Sequence, residues 1–130
     1  MTEQSIEGIF PQTGIPKKEY LVNITKKIAQ FTIRYYKDLF DPTTGHPENV
    51  TIEWDKRKNA STGTCRRVFR IIQYNESKIN LMTHVYLIAL AVHECAHLVY
   101  DGHGKKYMEV QDFIFDKCIE DLERHNREMK

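Results

Sequence analysis

His93-Glu94-Cys95-Ala96-His97 lies inside an apolar run from Leu81 to Tyr100, and a third histidine follows at His103. The run includes Leu87, Ile88, Leu90, Ala91, Val92, Ala96, Leu98 and Val99. Apolar residues on nearly every side predict a buried helix over about 81–100. Helical residues four apart share a face, so His93 and His97 can aim ring nitrogens at one point, with Glu94 beside them. Imidazoles and a carboxylate buried in such a helix are costly without partners. H-E-x-x-H is the spacing at which a zinc ion is that partner and the glutamate acts as general base. A catalytic zinc takes three protein ligands and leaves a fourth position for water. The expectation is one Zn2+ per chain on His93, His97 and His103, with Glu94 catalytic. The competing reading is core histidines satisfied by hydrogen bonds alone.

Downstream, Asp101-Gly102-His103-Gly104 is a turn whose glycines let the backbone bend and return His103 to the site. A C-terminal helix is expected over about 105–128. Its core contacts would be Met108, Val110, Phe113, Ile114, Phe115, Cys118, Ile119 and Leu122.

Upstream, Val50, Ile52 and Trp54 alternate with polar residues, and Cys65–Tyr74 is rich in β-branched and aromatic residues. Both patterns predict strands. A polar turn from Lys56 to Thr64 would join them as an antiparallel hairpin over about 50–74. Further back, Leu21, Ile24, Ile28, Phe31 and Tyr35 recur at helical steps. They predict an N-terminal helix from near Pro16 to near Phe40, where Asp41-Pro42 and Gly45-His46-Pro47 break it. Residues 1–14 lack periodicity and are expected to be a flexible lead-in, with an inhibitory role over the cleft as one option. The fold class is α+β, a minimal zincin-like domain over 15–130 with a small antiparallel sheet.

At 130 residues and 41% hydrophobic, the chain can bury a core without disulfides. A net charge of +1 gives no global attraction to nucleic acid or membrane. Charge is concentrated locally, in Lys56, Arg57, Lys58, Arg66, Arg67 and Arg70, with no acid among them. That is the footprint of a DNA-phosphate contact, or else of a solvated hairpin balanced by Glu53 and Asp55. Three scattered cysteines without a C-x-x-C pair suit a reducing compartment. The longest strongly apolar run, Tyr86–Val92, is too short to span a bilayer. With no signal-peptide core at the N-terminus, a cytoplasmic protein without membrane attachment is expected. His46, His84 and His125 have no ligand-like spacing to the motif.

The motif continues with five residues to His103-Gly104, then two residues to Tyr107. H-E-x-x-H followed by H-G-x-x-(aromatic) resembles the SprT-like zinc metallopeptidases, the Spartan- and WLM-related group. Gly63-x-Cys65, leading into a strand that ends Ile72-Gln73-Tyr74-Asn75, is similar to that family's pattern before the zinc helix. The resemblance spans about residues 15–120, with its specific part in 63–107. It implies that His93, His97 and His103 are ligands, that Glu94 is catalytic, and that Tyr107 anchors the last helix against the site. The His97–His103 loop is short, nearer the WLM-type peptidases. The expectation is a minimal catalytic domain, without the family's cysteine-rich zinc ribbon or evident partner-binding tails. The five-residue gap also matches metzincins, but Tyr100 stands where they need glycine, and Met108 follows too closely for their Met-turn.

The implied reaction is hydrolysis of a peptide bond by a zinc-activated water, with Glu94 moving the proton. A second donor to the oxyanion is expected; Tyr100, Tyr107, Tyr35 and Tyr36 are the candidates. A strand beside the zinc helix could hold a protein or peptide substrate by β-addition. Three functions follow: a protease of DNA-associated proteins, a protease of one repressor-like protein without DNA dependence, and a zinc-stabilised binding module with Glu94 idle.

Overall fold

The computed structural model describes residues 5–39, 50–58 and 60–128. The expected helix end at Phe40, the breakers after it and His46 lie outside those residues. Helix α1 (Lys17–Tyr35) starts behind Pro16, whose carbonyl accepts from the Tyr20 N–H at 2.9 Å. It buries one face, Tyr20, Leu21, Ile24, Ile28, Phe31 and their neighbours. The helix stops at Tyr35, where the apolar stripe stops, and a short 3-10 turn, Lys37–Leu39, follows.

The expected two-stranded antiparallel hairpin over 50–74 is not what forms. Three strands, β1 (Thr51–Asp55), β2 (Gly63–Arg66) and β3 (Ile71–Asn75), are ordered β1-β3-β2. β1 pairs with β3 in parallel, Thr51 opposite Ile71, while β2 pairs with β3 antiparallel, Gly63 opposite Tyr74. The single strand expected over Cys65–Tyr74 is split by a turn at Arg67–Arg70. Bonds from the Phe69 N–H to the Arg66 carbonyl and from the Arg70 N–H to the Arg67 carbonyl close it. Arg70 completes it at φ 53°, the left-handed region that a non-glycine residue seldom occupies. The β-rich composition of that run hid the turn, since Val68 and Phe69 are 67% and 73% exposed. A parallel pair needs a crossover of about a dozen residues or more, and the stretch from Lys56 to Arg70, carrying β2, provides it. Central β3 is the buried strand, with Ile72 and Tyr74 fully enclosed.

Asn75 ends β3 and caps the short helix α2 (Glu76–Ile79), its Oδ1 accepting from the Ser77 and Lys78 N–H groups at 3.1 Å. Helix α3 (His84–Ala96) starts later than expected, because Thr83 Oγ1 caps it by accepting from the Tyr86 N–H. Leu81, Val85 and Tyr86 are exposed, so only the part from Leu87 onward is the buried helix the run predicted. α3 is the centre of the fold and packs on α1, β2 and the last helix, α4 (Lys105–Glu128).

α4 buries Tyr107, Val110, Ile114, Cys118 and Asp121, a single helical stripe. Met108 lies off that stripe and is exposed, contrary to its expected core role. Residues 5–14 form no regular element, yet they are not a loose lead-in. Ile6 and Ile9 are buried, the Ile9 N–H donates to Asp121 Oδ2 at 2.9 Å, and the Tyr20 hydroxyl donates to the Ile9 carbonyl at 2.6 Å. Phe10 stacks on His125, with ring centroids 4.2 Å apart. Asp121 is about 21 Å along α4 from Tyr107 at 1.5 Å per residue, so this segment does not cover the histidines. Among the described residues, no helix is long and apolar enough to cross a membrane.

Candidate metal centre

His93 and His97 project from the last turns of α3, and the loop after it carries His103. Only Gly102 in that loop uses a left-handed conformation, at φ 72°. The three Nε2 atoms converge: His97 to His103 is 3.1 Å and His103 to His93 is 3.4 Å. Zinc–nitrogen bonds of about 2.0–2.1 Å in tetrahedral array put neighbouring ligand atoms about 3.3 Å apart. The histidine cluster therefore fits a metal ion, and among the described residues these three lie close enough together to hold one.

The other ring nitrogens are tied back to the protein. His97 Nδ1 faces the Tyr100 carbonyl at 3.1 Å, and His93 Nδ1 faces Gln111 Oε1 at 3.1 Å and the Tyr107 hydroxyl at 2.9 Å. Such contacts fix ring orientation and leave Nε2 free as the ligand atom. Burial lowers the His97 pKa and so favours the neutral ring that a metal requires. Gln111 was not among the residues singled out from sequence. Its signal was there: one turn beyond Tyr107, it is a polar side chain beside the buried stripe of α4.

Tyr107 is buried, its ring stacked on His97 at 4.4 Å and its hydroxyl donating to the His93 carbonyl at 2.9 Å. At the end of α3 the backbone bonds tighten to three-residue spacing, His97 N–H to Glu94 carbonyl and Leu98 N–H to Cys95 carbonyl. The Tyr107 hydroxyl supplies a donor there, behind the histidines rather than over them. Tyr35 and Tyr36 pack with Phe113, and Tyr100 meets His97 through its backbone. None of the four tyrosines expected as oxyanion donors lines the open face of the site.

That open face is a groove of about 320 Å³ lined by Gly63–Cys65 of β2, by the three histidines, and by Glu94, Asp101 and Gly102. Glu94 is 3% exposed, and burial pushes its carboxyl up to about 7. Cys65, also on the wall, has its thiol pushed up to about 12, chiefly by burial and further by Glu94 and Asp101. β2 is the edge strand on this side. The Asn75 N–H donates to the Thr62 carbonyl, so by antiparallel alternation Gly63 and Cys65 turn their N–H and C=O groups outward.

The six basic residues do not form one surface. Lys56, Arg57 and Lys58 follow the C-terminal end of β1, whereas Arg66, Arg67 and Arg70 surround the turn at the opposite end of β3. Arg57 is paired with Asp55 at 2.6 Å, Arg67 with Asp101 at 3.2 Å, and Arg70 is buried. His84 packs edge-on against Tyr20 and His125 lies on Phe10, both remote from the cluster. Cys95 and Cys118 are buried, and all three cysteines are free. Comparison of the chain with protein-family models, with curated proteins and with solved structures returned no match.

Proposed function

We propose that the chain is a zinc-dependent peptidase that cleaves extended polypeptide laid along β2. One observation carries the reading: a buried carboxyl, Glu94, and three convergent histidine nitrogens line the same groove as the open edge of β2. His93, His97 and His103 would hold the metal. When bound, zinc would act as a Lewis acid and supply an acidified water at neutral pH. Glu94, which follows His93 directly and precedes His97 by three residues, takes a proton and returns it to the leaving amine. The outward backbone groups of Gly63 and Cys65 pair with substrate backbone and align the scissile bond. A SprT-like, zincin-related architecture is consistent with this arrangement of zinc helix, edge strand and closing helix.

A binding module with an idle Glu94 is the weaker reading. Structural zinc sites are closed by four protein ligands, and the cluster here has three, beside a groove. The division and pairing of the basic residues favour a protease that does not depend on nucleic acid over one acting on DNA-associated proteins. The test starts with elemental analysis of wild type beside His103→Ala. About one zinc per chain, lost in the variant, is expected. Glu94→Gln should then keep zinc and lose at least about 10²-fold in cleavage. Single-stranded DNA should leave the wild-type rate unchanged. A Glu94→Gln protein that cuts at the wild-type rate would sink the mechanism.

A further inference from the structure

Two groups crowd the ring nitrogen of His93 that faces away from the groove, and together they have one proton to place. Gln111 Oε1 lies 3.1 Å from Nδ1 and the Tyr107 oxygen 2.9 Å from it. A carboxamide oxygen only accepts. The tyrosine proton has two acceptors that are not His93 Nδ1: the His93 carbonyl at 2.9 Å and Gln111 Oε1 at 3.0 Å. With that proton on either, the Tyr107 oxygen is left as an acceptor toward Nδ1. Every neighbour of Nδ1 then accepts, so Nδ1 must carry the hydrogen and Nε2 must carry the lone pair.

We infer that Gln111 is the positioning residue that selects the metal-binding tautomer of His93. This builds on the metal site proposed above, though not on proteolysis. Without the Gln111 carbonyl, Tyr107 can turn its proton onto Nδ1. That change would stabilise the opposite tautomer, whose Nε2–H cannot ligate. Tyr107 alone is ambivalent, donor or acceptor, and Gln111 removes the ambivalence. The amide is turned for this role, with Oε1 toward the histidine and Nε2 toward Met108 Sδ at 4.0 Å.

Two substitutions separate this role from packing. Gln111→Met keeps length and helix propensity but removes the acceptor. Gln111→Glu keeps the shape and presents only acceptors. In metal-free protein, two-bond proton–nitrogen NMR correlations should show His93 as Nδ1–H in wild type and in Q111E, and a mixture with Nε2–H in Q111M. Zinc affinity, measured by chelator competition at neutral pH, should fall about 10- to 100-fold in Q111M, as for other residues that orient a metal-binding histidine. Q111E should bind at least as tightly as wild type. The melting temperature of metal-free Q111M should stay close to that of wild type, which a purely structural role would not allow. Wild-type affinity and an unchanged His93 tautomer in Q111M would overturn the inference. So would a folded Q111E that loses zinc, since the amide would then face His93 through its N–H. A wild-type chain that shows these tautomers yet cleaves no peptide would defeat the peptidase reading and leave the role of Gln111 standing.

Discussion

Gly63 on β2 lies so close to Glu94 on α3 that a Cβ built at position 63 would stand 2.9 Å from Glu94 Oε2 and 3.3 Å from its Cδ. The missing side chain makes room for the carboxyl under the strand edge. Gly63→Ala should therefore keep the fold and the metal but push the carboxyl aside. A misplacement of about 1 Å can cost about 10²-fold in rate. Cleavage should fall by about that factor while zinc stoichiometry stays at wild-type level. Steady-state kinetics beside elemental analysis would check both halves. Loss of zinc together with activity would show that Gly63 serves the metal site instead.

The same enclosure makes Glu94 a burden on the metal-free fold. Its carboxyl is pushed from an ordinary 4.5 up to about 7 by burial. The raised value means the folded state favours the protonated form. The stability contributed by Glu94 is thus fully present below about pH 4.5 and is lost as pH rises through about 7. A shift of this size corresponds to about 3 kcal/mol at most. His97, lowered by burial, acts in the opposite direction over a neighbouring range, so the comparison must be made between variants. Metal-free Glu94→Gln should be more stable than metal-free wild type at pH 8 and should lose that advantage by pH 4.5. Chemical denaturation at the two pH values measures it, and equal differences at both would refute the assignment.

Tyr107 and Gln111 touch the same histidine but should respond differently to substitution. Tyr107→Phe removes a hydroxyl that donates at the end of α3. It leaves Gln111 Oε1 against His93 Nδ1. Losing the hydrogen bond should cost about 1–2 kcal/mol of stability. Zinc affinity should change only a few-fold, because the acceptor that fixes the tautomer remains. Denaturation and chelator competition on the one variant would show whether the two effects separate.

What could be read in the sequence was what is local. The spacing of His93 and His97 and the stripe of α1 depend on helix geometry alone, and both survive in the structure. His103 depends on one left-handed glycine, Gly102, and was also within reach. The hairpin was misread because β propensity reports a residue's fit to a pleated surface, not its strand's partner. Exposed Val68 and Phe69 have the composition of a strand and sit in a turn that ends with Arg70 at positive φ. The placement of the basic residues was hidden by topology: residues close in the chain are carried to opposite ends of β3. Asp121 could not have been anticipated, because its partner Ile9 is 112 residues away in the chain.

That long-range contact gives a prediction remote from the metal. Asp121 is 4% exposed, accepts the Ile9 N–H, and is paired with Arg124 on the next turn of α4. Arg124 in turn donates to the Ile6 carbonyl at 3.3 Å, so this carboxylate ties down Ile9 directly and Ile6 through Arg124. Asp121→Ala would leave the Ile9 N–H without its acceptor and the Arg124 guanidinium with the Ile6 carbonyl but no carboxylate. Partly exposed Arg124 can turn to water, which holds the loss to about 2–3 kcal/mol. Amide hydrogen exchange should speed up over residues 6–10, while the helix carrying His93 and His97 keeps its protection and zinc affinity stays unchanged. If the segment instead guarded the groove, the same variant would raise cleavage. A rate equal to wild type, with faster exchange at Ile9, identifies the segment as a clasp on α1 and α4.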